Sequence, residues 1–180
     1  MLFGLAAVGS LCFALTLFVP GSAPAPAPFP EPAPAGASIG PRVRGATPAV
    51  NTMIANGIRR SATFARLVRD IDQTDVIVYI EITNQMPTGL DGRLTFLTSA
   101  GGFRYLRVQI VPTIAKDDVI AVVGHELQHA LEVAAHPRVQ SSRDLATLYR
   151  QIGMQAPGID RYDTNAARIV GRRVRAELLD

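Results

Sequence analysis

VVGHELQHALEV, residues 122–133, holds two of the chain's three histidines, four positions apart, with a glutamate directly after the first. Residues at i and i+4 share one face of an α-helix. A helix here therefore aims the imidazoles of His125 and His129 at one point. Val119, Val123, Leu127, Leu131 and Ala134 supply the apolar stripe that such a helix needs. Asp117 and Asp118 are placed to cap its start, and Pro137 to stop it after about Ala134. Its bland reading is a surface helix with a polar side. However, Ala121 and Val122 flank the histidine face, so that face is partly buried, and buried polar groups need partners. A metal ion satisfies both imidazoles at once.

The spacing H-E-x-x-H carries a specific chemistry. Zinc takes imidazole ligands at about 2.0–2.1 Å, and a catalytic site keeps one position open for water, whose pKa the ion lowers. Glu126 stands about 100° round the helix from His125. From there it reaches that water as a general base.

Upstream, VIVYIEI (76–82) is short and rich in β-branched residues, and reads as a strand. RLTFLTS (93–99) and FRYLRVQIV (103–111) are two more, joined by AGG, a hairpin signal. Pro48 to Ile71 repeats apolar residues at helical spacing, with Gly57 the candidate to weaken or break the helix. Downstream come a short helix, RDLATLYRQIG (143–153), a loop, GIDRY, and a last helix over 164–179. The expectation is an α+β domain in which a three-stranded sheet packs on the histidine helix, with further helices C-terminal to it.

Over residues 122–131 the sequence resembles the zincin metallopeptidases: Val122 and Val123 precede HELQH, uncharged Leu127 and Gln128 lie within it, and Ala130 and Leu131 follow. The resemblance implies a zincin-like fold, a small twisted sheet ahead of the active-site helix, with an edge strand lining the cleft; FRYLRVQIV is the candidate for that strand. It implies Zn2+ as cofactor, His125 and His129 as ligands, Glu126 as catalytic base, and a peptide or protein substrate. The third ligand is less direct. One branch of the family has a histidine six residues after the second motif histidine, but His136 is seven after His129. Another takes a carboxylate from a later helix, and Asp163, read as opening the last helix, is the candidate. Glu132, on the same face as the histidines, is its rival. Asp163 also reads as a helix N-cap, His136 as a histidine favoured by the helix C-terminus, and Tyr162 as either a carbonyl-polarising group or helix-start packing.

The other 170 or so residues set bounds on this reading. The chain has 180 residues, a net charge of +3 and one cysteine, Cys12. A disulfide framework and a cysteine zinc site are thereby excluded. The positive charge is almost all arginine and is scattered, so no nucleic-acid partner is expected. An Arg-rich surface for anionic partners, or a zinc-binding module without activity, are the competing readings. Residues 2–19 form an uncharged apolar run, read as a signal peptide or membrane anchor over residues 1–19. PGSAPAPAPFPEPAPAG (20–36) is a semi-rigid spacer within a linker of residues 20–44. The expected product is an exported protein, periplasmic or extracellular, tethered at its N-terminus where residues 1–19 act as an anchor, with its folded domain at 45–180.

Overall fold

The computed structural model describes residues 41–112, 114–155 and 162–180. The apolar run of 2–19, the Ala-Pro spacer and most of the GIDRY loop lie outside the described residues. The elements run β1 (Val43–Gly45), α1 (Pro48–Arg60), α2 (Ala62–Ile71), β2 (Val76–Ile82), β3 (Gly92–Ala100), β4 (Phe103–Ile110), α3 (Lys116–Ala134), α4 (Ser142–Ile152), β5 (Met154–Gln155), β6 (Tyr162–Asp163) and α5 (Asn165–Leu179). This is a small α+β fold.

The main sheet has four strands, in the order β1-β2-β4-β3, rather than the three expected. The added strand, β1, pairs in parallel with β2, Val43 opposite Val78, and so takes in Val43 and Arg44 from the stretch assigned to the linker. β2 also pairs in parallel with β4. With a neighbour on each side and an apolar run along its length, β2 reads as parallel strands do when both faces are covered. β3 and β4 form the expected hairpin. Its turn residues, Gly101 and Gly102, have φ of 58° and 80°, the positive values that a tight hairpin turn requires at both central positions.

The strand order corrects one expectation. FRYLRVQIV is not at the edge: β4 lies between β2 and β3, and the edge strands are β1 and β3. The physical reason lies in burial. β4 ends in Val108, Gln109 and Ile110, all buried, whereas β3 ends in exposed Thr98, Ser99 and Ala100.

The segment from Pro48 to Ile71 is two helices, and the break is at Ser61, not Gly57. Ser61 closes α1 through its backbone N–H to Gly57 O and opens α2 by accepting from Phe64 N through its side chain. Gly57 is a packing position instead, since a Cβ there would meet Ile120 and Phe64 at 3.0 Å.

Helix α3 crosses the core, with Val119, Ile120, Val123, Leu127, Ala130 and Val133 buried. Asp117 and Asp118 do not cap it. The N-cap is Ala115, which makes no side-chain bond. The two aspartates lie in the first turn, where negative charge suits the helix dipole, and pair with Arg60 at 2.6 Å and Arg175 at 2.8 Å. At the other end Arg104, from β4, is 2% exposed and donates to Val133 O, Ala134 O and His136 O while pairing with Asp75. One buried guanidinium thus satisfies carbonyls that a helix end leaves unpaired. Arg104 is therefore a structural residue and does not share an exposed face with Arg172 and Arg173.

Candidate metal centre

Three elements bring the centre together. α3 supplies His125, Glu126 and His129 from one buried helix face. The short strand β6 supplies Asp163, and α5 follows directly. The close approach of α5 to α3 depends on two glycines. A Cβ at Gly124 would stand 3.0 Å from Val174 Cγ2, and one at Gly171 would stand 3.2 Å from His125 Cβ.

The imidazoles converge, with His125 Nε2 3.1 Å from His129 Nε2. Asp163 Oδ1 is 3.2 Å from His125 Nε2 and 3.6 Å from His129 Nε2. His125, His129 and Asp163 are each 1% exposed. These three side chains lie close enough to bind one metal ion.

Asp163 precedes α5 rather than opening it. Thr164 is the N-cap, accepting from Ala167 N through its hydroxyl. The capping role and the site role therefore fall to adjacent residues. The carboxylate of Asp163 is fixed on both sides: Oδ1 accepts from Thr164 N at 2.7 Å, and Oδ2 from Arg168 Nε at 2.7 Å.

Glu132 does not join the cluster as a ligand. Its Oε2 lies 2.8 Å from His129 Nδ1 and accepts from the Tyr149 hydroxyl at 3.1 Å, while Oε1 accepts from the Thr164 hydroxyl at 2.6 Å. It is an outer partner that orients His129. His136 is exposed, with Nδ1 2.7 Å from Glu132 O at the helix end, away from the cluster. Tyr162 packs against the core, on the opposite face of β6 from Asp163, as alternation along a strand dictates.

Glu126 is 1% exposed, and its Oε1 has no hydrogen-bond partner among the described residues. Gly92, the first residue of the edge strand β3, lies against it. A Cβ there would stand 2.9 Å from Glu126 Oε1 and 2.6 Å from Val122 Cγ1, so only glycine leaves this space.

Electrostatics divides the four groups. Burial pushes the Glu126 carboxyl up to about 8. It also lowers His125, to about 4, against the pull of Asp163. Burial opposes charge on His129 too, but hydrogen bonds to Asp163 and Glu132 outweigh it and raise that imidazole to about 10. For Asp163 burial acts upward, and the bonds to His125, His129 and Arg168 hold the carboxyl well below the usual carboxylate range. The metal-free centre thus keeps one imidazolium, on His129, between carboxylates.

No family model matches the chain, nor does any curated protein or solved structure. What this centre does must be read from its own geometry.

Of the residues nominated from sequence, His125, His129 and Asp163 come together, with Glu126 beside them. Tyr149, Thr164 and Arg168 were not foreseen as parts of the centre. A threonine ahead of a helical run is a legible cap, but nothing local links it to Glu132, 32 residues away. Gly92, just ahead of the strand read at 93–99, carried no sequence signal of its own.

Proposed function

We propose that this chain is a zinc-dependent peptide hydrolase of zincin type. The observation that carries this reading is Glu126 Oε1, a buried carboxyl oxygen without a hydrogen-bond partner among the described residues, coupled electrostatically to two of three residues whose ligand atoms converge. Buried polar groups are rarely left unpaired in a native protein, and an exception calls for a functional explanation. A closed structural zinc site has four protein ligands. Here three are grouped among the described residues, and the Glu126 carboxyl feels the charges of two of them, His129 and Asp163.

The donor set fits zinc. Two imidazole nitrogens and one carboxylate oxygen are ligands that zinc accepts. Ligands about 2.0–2.1 Å from a tetrahedral ion stand about 3.3 Å from one another, and the separations here are 3.1, 3.2 and 3.6 Å. When bound, zinc supplies a Lewis acid that polarises the scissile carbonyl and acidifies water.

The chain's own residues do the rest. Glu132 keeps the proton on His129 Nδ1, so the proton that a ligand bond would displace is the one on Nε2. Arg168 occupies Asp163 Oδ2 and leaves Oδ1 turned to the histidines. Glu126 takes a proton from the attacking water and returns it to the leaving nitrogen. The products are a carboxylate and an amine.

One observation favours a second reading, a metal-binding module without hydrolytic activity: His125, Glu126, His129 and Asp163 are each 1% exposed. The zinc-loaded chain, presented with a panel of unstructured peptides with and without a chelator, separates the two. Chelator-sensitive cleavage supports the hydrolase. Stoichiometric zinc with no cleavage supports the binding module. The uncharged run of residues 2–19 and the Ala-Pro spacer support export. A reporter fused after Gly36 is expected outside the cytoplasm, and a soluble cytoplasmic fusion contradicts that.

A further inference from the structure

Where β3 begins and β4 has just ended there is a cavity of about 270 Å³. Met86, Pro87, Leu90, Val111 and Pro112 line it, together with Asp91. Asp91 directly precedes Gly92, whose open Cβ position lies 2.9 Å from Glu126 Oε1. Along the chain, the cavity is thus one residue from the glycine that lies against the proposed base. Its volume falls just below the roughly 300–1,000 Å³ of small-molecule sites, which suits a single side chain rather than a whole ligand.

Its chemistry is amphipathic. Apolar side chains share the walls with polar Asn84 and Thr88, and Asp91 is half-buried with neither a hydrogen bond nor an ion pair to its carboxylate among the described residues. Another acid, Asp118, acts on its charge, and that acid is already paired with Arg175 at 2.8 Å. A half-buried carboxylate with no cation of its own is a binding partner for one from outside. Lysine and arginine match this shape, because their alkyl stems cover apolar surface while the charged head reaches a polar group.

Given the hydrolase reading above, we propose that this cavity is a side-chain pocket for a lysine or arginine of the peptide substrate, with Asp91 pairing the cation. Acidic side chains meet repulsion there, and neutral ones leave Asp91 unpaired, so discrimination comes from both attraction and exclusion.

The test uses the full zinc-loaded chain and peptides that differ at one residue beside the scissile bond: arginine, lysine, norleucine or glutamate. The basic peptides are expected to exceed the norleucine peptide by about tenfold or more in kcat/KM. Asp91→Asn and Asp91→Ser should bring that ratio to about one, and Asp91→Lys should turn it toward glutamate, with zinc content unchanged in all three. A parent ratio of about one, or a ratio that survives in Asp91→Asn, overturns the pocket. Agmatine binding, followed by NMR, gives a readout that needs no cleavage. Saturable binding lost in Asp91→Asn upholds the pocket even if the parent cuts nothing, in which case only the hydrolase reading falls. No saturable agmatine binding to the parent overturns the pocket whatever the activity.

Discussion

Glu132 Oε2 lies 2.8 Å from His129 Nδ1, and the same carboxylate holds Tyr149 of α4 and Thr164 at the start of α5. One acidic side chain thus orients an imidazole and ties three helices around it. The bond fixes which proton a metal would displace, because Glu132 holds the one on Nδ1 and leaves the Nε2 proton, turned toward His125 and Asp163, to be given up.

Loss of that partner should weaken the metal without removing a ligand. Glu132→Gln is expected to lower zinc affinity about 10- to 100-fold, measured by competition with a chromophoric chelator. Asp163→Ala should cost more, because it deletes a ligand. Should Glu132→Gln bind zinc as tightly as the parent, the orienting role is wrong. A larger loss in Glu132→Gln than in Asp163→Ala would exchange their roles.

Metal affinity and metal-free stability should respond to pH in opposite senses. His129 is held at about 10 and His125 at about 4, so between those values a metal displaces one proton from its ligands. Apparent affinity should then rise about tenfold per pH unit. Calorimetry in buffers of different ionisation enthalpy reads the released proton directly. In the metal-free chain, a His129 pKa raised above 6.5 gives stability that is full below pH 6.5 and lost as pH approaches 10. Glu126 acts in the same direction between 4.5 and 8, since the unfolded chain gives up its proton first. His125 acts oppositely, but only below 6.5. The metal-free urea midpoint should therefore fall from pH 6.5 upward, and a flat or rising midpoint contradicts the assigned protonation.

What was legible in the sequence was local. The HELQH spacing, the continuous run of β2 and the diglycine turn each lie within a few residues, so periodicity and turn chemistry identify them. β1 was missed because three residues, Val43–Gly45, carry no periodicity, and their pairing is set by a register with Val78 far along the chain. Strand order was misjudged for a related reason. Nothing within FRYLRVQIV says whether one or both of its edges are paired. Asp163 was nominated through family likeness, and its place ahead of Thr164 rather than on the helix emerged only from the fold. Glu132 sits three residues from His129, so its nearness was legible. Its choice between ligand and outer partner depended on Tyr149 and Thr164, which approach from 17 and 32 residues away.

Arg104 offers a test of the scaffold apart from the chemistry. Its guanidinium is buried and serves carbonyls at the end of α3. Arg104→Met keeps much of the bulk but leaves those acceptors without their donor. A loss of about 2–4 kcal/mol is expected from unsatisfied buried groups, read from urea unfolding. Asp75, which is 42% exposed, regains water and adds little. Amide exchange should accelerate first in the last turn of α3. An unchanged midpoint would mean that water replaces the arginine at no cost.

Glu126→Gln separates metal binding from catalysis most cleanly. Glutamine keeps the length of the side chain and leaves His125, His129 and Asp163 intact, but it does not accept a proton near neutral pH. Zinc content should match the parent, while peptide hydrolysis falls by about a hundredfold or more. The variant also removes a carboxyl that burial holds at about 8. Metal-free Glu126→Gln should therefore be at least as stable as the metal-free parent above pH 8, where the parent carries a buried charge. That comparison guards against reading lost activity as lost folding. Hydrolysis equal to the parent's would remove Glu126 as the base, even with zinc fully bound. Loss of zinc together with activity would instead make Glu126 part of the metal's own support, and the unpaired Oε1 would then need another explanation.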